Sequence, residues 1–155
     1  MLRQVTRTGL DQRPVLPHSA ALNAYLMTHL ADEADEHVRI LYLTAGSRLI
    51  ADELHGIGTP TSAPFSIRTI AARALEVRAM KVIVAHNHPS GTREFSRADI
   101  AQTLALDHAL DALGIELVDH FIVTRSGFVS ACAAKRQRGR STPQVAPALA
   151  MAAAR

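Results

Sequence analysis

Two histidines, a serine and an aspartate lie close together in the middle of the chain, at a spacing that suits metal chemistry. The segment reads His86-Asn87-His88, and Ser96 and Asp99 follow it. Imidazole nitrogen and carboxylate oxygen are ligands that Zn²⁺ accepts, usually four in a tetrahedral arrangement. Three protein ligands leave one position open for water, which distinguishes a catalytic zinc site from a structural one. We therefore predict a zinc site formed by His86, His88 and Asp99. The alternatives are that the two histidines form a hydrogen-bonded polar pair and that Ser96 and Asp99 only cap a helix.

An open zinc site predicts hydrolytic chemistry. The ion lowers the pKa of a bound water toward about 7 and polarises a substrate carbonyl. A general base must still take the proton of that water. The spacing does not choose among four acidic candidates outside the motif, which are Glu36, Asp52, Glu53 and Asp119.

A buried strand should deliver the two histidines. Lys81–Ala85 is a short apolar run rich in β-branched residues, which is typical of a central strand. Side chains at positions i and i+2 project from the same face of a strand, so His86 and His88 should converge at its end. The segment from His86 to Gly91 is predicted as a polar loop because it contains Pro89 and Gly91.

A helix should deliver the aspartate. It is predicted to begin at Ser96, to reach about Leu113 and to be closed by Gly114. Ser96 and Asp99 match a capping box in which Asp replaces Glu or Gln. A carboxylate in the first helical turn is stabilised by the helix dipole and can face back toward the strand end. Ser96 could cap the helix and also turn its hydroxyl toward an oxyanion.

The apolar pattern predicts an α/β fold with the order α-β-β-α-β-α-β-β. Alternating helices and strands favour α-β-α layers around one mixed sheet. The predicted helices cover residues 19–31, 66–79 and 96–113, and the predicted strands cover residues 38–43, 49–55, 81–85, 116–124 and 128–130. The predicted organisation is an irregular lead-in (1–17), one domain (18–132) and a basic tail expected to be disordered (133–155).

Composition excludes several classes of protein. With 155 residues, of which 48% are hydrophobic and 20% charged, the chain is predicted to form one globular domain. The longest apolar stretch is far shorter than the roughly 18 residues of a membrane span, so no membrane contact is expected. Cys132 is the single cysteine, which excludes a disulfide framework and an all-cysteine metal site. The first residues show no apolar signal segment, so a cytoplasmic location is expected.

The basic charge is concentrated in the tail. Five of the 17 basic residues and none of the 14 acidic residues follow residue 132, so residues 1–132 carry 12 basic against 14 acidic residues. The body therefore has a formal charge of −2. A weak contact with nucleic acid through the basic tail is a possible interaction, with a solvated terminus as the alternative.

The motif and its surroundings resemble the RadC family, which belongs to the JAB/MPN metalloprotease superfamily with its JAMM zinc motif. The similarity covers roughly residues 20–131. It rests on His86–Gly91 followed by Ser96–Asp99, on Glu36–Leu43, on Gly58-Thr59 with Arg68, and on Asp119-His120 followed by Phe121–Val123.

The resemblance implies a function and a set of roles. The expected fold is the JAB/MPN fold, similar to that of cytidine deaminases, with zinc bound by His86, His88 and Asp99. Glu36 would deprotonate the metal-bound water, and Ser96 would donate to the tetrahedral oxyanion. The implied activity is that of a zinc metallopeptidase acting on a peptide or isopeptide bond in an unknown peptide or protein substrate.

Two other functions remain open at this point. A RadC-like scaffold that associates with DNA or protein without turnover is the main alternative, and the basic tail supports it. A zinc nuclease is less favoured because the body of the chain is acidic. His120 is interpreted as a strand histidine that packs and hydrogen-bonds locally, with a place behind the metal ligands or in substrate recognition as the alternative.

Overall fold

The computed structural model describes residues 10, 14–59 and 64–132. Within these residues the elements follow the predicted order. They are α1 (Ala20–Leu30), β1 (His37–Leu43), β2 (Leu49–Ile57), α2 (Ile67–Glu76), β3 (Lys81–Asn87), α3 (Arg97–Asp111), β4 (Glu116–Thr124) and β5 (Gly127–Ser130). The predicted basic tail and most of the predicted lead-in lie outside the described residues.

The strands form one mixed sheet in the order β2-β1-β3-β4-β5. Only β3 and β4 run parallel among these pairs, and α3 is the connection between them. β3 therefore has a neighbouring strand on each side, and its residues from Val82 to Asn87 are buried. The parallel pair brings the carboxyl ends of β3 and β4 to one edge of the sheet.

Helices cover both faces of the sheet. Alternating side chains of β3 divide between two cores: Ile83 and Ala85 pack toward α1, while Val82 and Val84 pack toward α2 and α3. This confirms the α/β class and the α-β-α layering. No helix among the described residues is both long and apolar enough to cross a bilayer.

The ends of β3 and α2 differ from the prediction. β3 continues through His86 to Asn87, so the predicted polar loop begins two residues later than expected. α2 ends at Glu76 rather than at residue 79, because Arg78 adopts a left-handed φ of 56° that stops the helix. The first shift matters for chemistry, because it places His86 on a rigid strand rather than in a loop.

Candidate metal centre

The end of β3 brings the two motif histidines together on the side of the sheet that α3 covers. His86 and His88 are both buried, and their Nε2 atoms lie 2.8 Å apart. The backbone N–H of His88 donates to the Val123 carbonyl at 2.9 Å and so ties the end of β3 to β4. The two imidazoles are therefore fixed by sheet pairing.

The first turn of α3 brings the carboxylate to the same point. Ser96 and Asp99 form the predicted capping box: the Ser96 Oγ accepts from the Asp99 N–H at 3.0 Å, and the Ser96 N–H donates to Asp99 Oδ2 at 2.8 Å. This bond orients the carboxylate toward the histidines. Asp99 Oδ1 lies 3.5 Å from His86 Nε2, and Oδ2 lies 3.6 Å from His88 Nε2.

This donor set suits one divalent cation. Ligand atoms that share a zinc ion at roughly 2.0–2.2 Å cannot lie more than about 4.4 Å apart. The 2.8 Å between the two Nε2 atoms, and the 3.5 and 3.6 Å between them and the Asp99 oxygens, are within that limit. The His88 Nδ1 lies 2.8 Å from the Thr92 carbonyl, which can only accept a hydrogen bond. A neutral His88 ring therefore turns the lone pair of Nε2 toward the site. His86, His88 and Asp99 could hold a metal ion.

Electrostatics at the site favour a positive charge. The hydrogen bond to Asp99 raises the pKa of His88 above its ordinary value, against the effect of burial. Burial would raise the pKa of Asp99, but hydrogen bonds from His88 and Ser96 outweigh it and hold that pKa below its usual range. Burial lowers the pKa of His86 to about 4. Near neutral pH, His86 is thus a neutral ligand beside an ionised carboxylate.

Glu36 lies beside the histidines, immediately before β1. It is only 7% exposed, and its backbone makes hydrogen bonds of 3.0 and 2.9 Å with the chain just after β2. β1 pairs antiparallel with β3 so that Val38 is opposite His86. Glu36 lies two residues before Val38 and His88 two residues after His86, so both lie at the same end of this strand pair. The negative charge of Glu36 also contributes to the raised pKa of His88.

The other three acidic candidates have partners elsewhere in the fold. These pairs are Asp52 with Arg39 at 2.7 Å, Glu53 with Arg73 at 2.7 Å, and Asp119 with Ser130 at 2.6 Å. Of the four carboxylates that the spacing left open, the geometry brings Glu36 to the candidate ligands.

The exposed Ser96 is held at the start of α3 by the hydrogen bond that its Oγ accepts from Asp99. Because that bond uses a lone pair, the hydroxyl hydrogen of Ser96 is still available for donation. Helix capping and donation to a substrate oxygen are therefore compatible in this geometry.

Asn87 has a positioning role that its place between the histidines did not predict. Its side chain points away from the metal ligands and is 1% exposed. Its Oδ1 accepts from the His37 N–H at 2.7 Å, and its Nδ2 donates to the carbonyls of Asp35 at 2.9 Å and Glu33 at 3.3 Å. Asn87 thus holds the segment that carries Glu36.

His120 packs and hydrogen-bonds beside a candidate ligand, so the structure places it behind His86, as in the alternative interpretation. It is 2% exposed, and its Nε2 lies 2.7 Å from His86 Nδ1. On the other side its Nδ1 lies 2.6 Å from the Thr103 hydroxyl. Burial, and next the nearby His86, hold the pKa of His120 well below its ordinary value. Thr103 carried no signal in the sequence, because its contact with His120 depends on the packing of α3 against β4.

Two aromatic rings border the histidines. The ring of Phe95 lies 6.4 Å from that of His86 and 5.3 Å from that of His120, both edge to face. The ring of Phe65 lies 6.4 Å from that of His120 in a similar arrangement. These half-buried rings give the polar site an apolar border.

Comparison with known proteins gives a consistent picture. Residues 16–138 match the RadC-like JAB domain family. A UPF0758 protein from Rhodobacter capsulatus is 41% identical over 121 residues, which are 78% of this chain and 56% of the relative. UPF0758 proteins from Methylibium petroleiphilum and Ruegeria pomeroyi are 40% and 39% identical over 83% and 79% of this chain, and over 58% and 55% of their own lengths. The chain therefore spans a little over half the length of these curated relatives.

Proposed function

The chain belongs to the RadC-like JAB domain family, and from this premise we propose that it is a zinc-dependent hydrolase of peptide or isopeptide bonds. One observation carries the proposal. His86 Nε2 and His88 Nε2 lie 2.8 Å apart, a different Asp99 carboxylate oxygen lies 3.5 or 3.6 Å from each, and the charge of the buried Glu36 acts on His88. A donor set with a carboxylate beside it is what hydrolysis requires, whereas a purely structural site needs no such carboxylate.

The ligands have defined tasks in this proposal. The Nε2 atoms of His86 and His88 and the carboxylate of Asp99 would hold the ion. Zinc in such a site supplies a low-pKa water and a Lewis acid for the substrate carbonyl. Zinc is preferred because two imidazoles and one carboxylate match its ligand chemistry.

Glu36 would move the proton. In this proposal a carboxylate oxygen of Glu36 accepts a proton from the attacking water and then gives it to the departing amine nitrogen. A single carboxylate could make both transfers, because it is regenerated in its ionised form. The pairing of β1 with β3 supports this role, since it brings Glu36 and His88 to the same end of the two strands.

Ser96 would stabilise the developing negative charge. Its Oγ is held by the Asp99 N–H, so its own hydrogen can point to a substrate oxygen. A donor aimed at an oxyanion lowers the barrier because the charge develops only in the transition state. Phe65 and Phe95 border the histidines and would limit the access of bulk water.

A scaffold without turnover is the second candidate, and the charge distribution favours it. The basic tail carries five basic residues and no acidic one, so we propose a weak, salt-dependent contact with nucleic acid there. The tail-dependent contact and hydrolysis at the metal site can be tested separately. Removal of residues 133–155 should abolish the nucleic-acid contact, whereas it should leave metal-dependent cleavage unchanged.

Glu36→Gln tests the hydrolase directly. The variant should retain zinc but lose turnover by about 10²–10⁴-fold, the usual scale for a lost general base. A peptide library, screened with and without chelator, supplies the substrate, and zinc content is measured on the same samples. Glu33→Gln is the matched control, because Glu33 lies in the same segment with a side chain 47% exposed. Unchanged turnover in Glu36→Gln would remove this residue from the mechanism, and cleavage that resists chelation would contradict the metal dependence.

A further inference from the structure

A chain of three hydrogen bonds runs behind His86. The Thr103 hydroxyl lies 2.6 Å from the Asp99 carbonyl and 2.6 Å from His120 Nδ1. His120 Nε2 in turn lies 2.7 Å from His86 Nδ1. The chain connects α3, β4 and β3, and it begins at the backbone of one candidate ligand and ends on the ring of another.

The direction of these bonds follows from counting hydrogens. A carbonyl oxygen can only accept, so the single hydroxyl hydrogen of Thr103 goes to Asp99. The bond between Thr103 and His120 must then use the hydrogen on His120 Nδ1. A neutral imidazole has one N–H, so His120 Nε2 carries a lone pair and accepts from His86 Nδ1.

The neutral form of His120 fits its surroundings. The ring is buried, and its two nitrogens contact a hydroxyl group and another imidazole, neither of which is an anion. A charged ring in that place would be costly. A neutral ring leaves His86 with its hydrogen on Nδ1 and a lone pair on Nε2, the atom that faces His88 and Asp99.

We propose that Thr103 and His120 are positioning residues that set the tautomer of His86, so that its Nε2 lone pair is presented to a metal ion. The tautomer of a metal-binding histidine is set by the hydrogen bond of its other nitrogen. The Thr92 backbone carbonyl sets the tautomer of His88 in the same way, by accepting from His88 Nδ1. The inference rests on the metal-binding part of the proposed function, but it does not depend on which bond is hydrolysed.

The first test reads the tautomer directly, without metal or substrate. Protein with ¹⁵N-labelled histidine is freed of metal and studied by two-bond ¹H–¹⁵N correlation at about pH 8, where free imidazole is neutral. His86 should carry its hydrogen on Nδ1, and His120 should do so as well. In Thr103→Val, His120 loses its acceptor and His86 should become a mixture of tautomers. A wild-type His86 with its hydrogen on Nε2 would overturn the inference.

The second test measures affinity for Zn²⁺ alone by competition with a chelator. His120→Leu should weaken binding by about 10–100-fold, the usual cost of losing a partner behind a ligand. His120→Gln should recover part of the loss, because its amide oxygen can accept from His86 Nδ1. The zinc affinity of Thr103→Val should lie between those of wild type and His120→Leu.

The choice of controls follows from the structure. A cavity of about 30 Å³ adjoins Thr103 and His120. Thr103→Ala would enlarge it and let water replace the hydroxyl, whereas valine has the size of threonine and leaves no added room. Thr28→Val removes an equivalent bond to a carbonyl four residues earlier, on the exposed side of α1, and should leave zinc affinity unchanged. If His120→Leu does not fold, the zinc affinity of Thr103→Val still tests the proposal. Wild-type affinity in the folded Thr103→Val and His120→Leu variants would refute the proposal, whatever the hydrolase assay shows.

Discussion

At the scale of residues, the candidate site depends on hydrogen bonds that turn acceptor atoms inward. The capping box uses the Ser96 N–H to orient Asp99, and the Thr92 carbonyl orients His88. The residue types and their spacing could predict this candidate ligand set because all three residues lie within one short segment. Ser96 could be predicted for the same reason, since capping is a local interaction.

Asp99→Asn tests the ligand set at this scale. The amide keeps the size of the side chain and can still accept from the Ser96 N–H, but it is a poor zinc ligand. Zinc affinity should fall by more than about 100-fold, because losing a partner behind a ligand already costs about 10–100-fold. Elemental analysis and chelator competition measure this. Asp111→Asn, at the exposed end of α3, is the control and should bind zinc normally. Full zinc content in Asp99→Asn would show that the ligand assignment is wrong.

At the scale of elements, β3 positions two parts of the site with opposite faces. Its histidines face α3, whereas Asn87 faces the segment that leads into β1. Glu36 is therefore held by the strand that carries His86 and leads into His88, so the candidate base and the candidate ion site should move together.

Asn87→Ala should lower turnover without a comparable loss of zinc affinity. The change leaves the half-buried His37 N–H without its acceptor, which should lower the free energy of unfolding by about 1–3 kcal/mol in chemical denaturation. Zinc affinity should stay within a few-fold of wild type, while turnover falls because Glu36 is less well held. Asn87→Asp keeps the acceptor for His37 and loses the donors, so its free energy of unfolding and its turnover should lie between those of wild type and Asn87→Ala. Equal stability and turnover in Asn87→Ala would contradict this role.

The elements themselves could be predicted because their patterns are local. The strand Glu116–Thr124 has the predicted bounds, and every described helix and strand appears in the predicted order. α3 ends at Asp111 rather than near Leu113. The N–H groups of Leu113 and Gly114 bond to carbonyls three residues earlier rather than four, and Gly114 then takes a left-handed φ of 71°. The roles of Asn87 and Thr103 could not be predicted, because they depend on how distant strands and helices pack.

At the scale of the whole molecule, two apolar cores hold the sheet between its helices and leave the polar cluster at one end of the parallel pair. α/β sheets hold ligands where strands end and helices begin. A cation there would join β3 and α3 across the loop between them. Residues 1–132 carry a formal charge of −2, and the net positive charge of the chain comes from the residues that follow. Nothing in the charge of the body therefore favours a nucleic acid over a protein as the substrate.

Diffraction at the zinc absorption edge, from crystals grown with Zn²⁺, tests the central claim most directly. The account predicts one anomalous peak per chain at roughly 2.0–2.2 Å from His86 Nε2, His88 Nε2 and an Asp99 carboxylate oxygen. A zinc ion bound by other residues, or no peak between these three side chains, would contradict it.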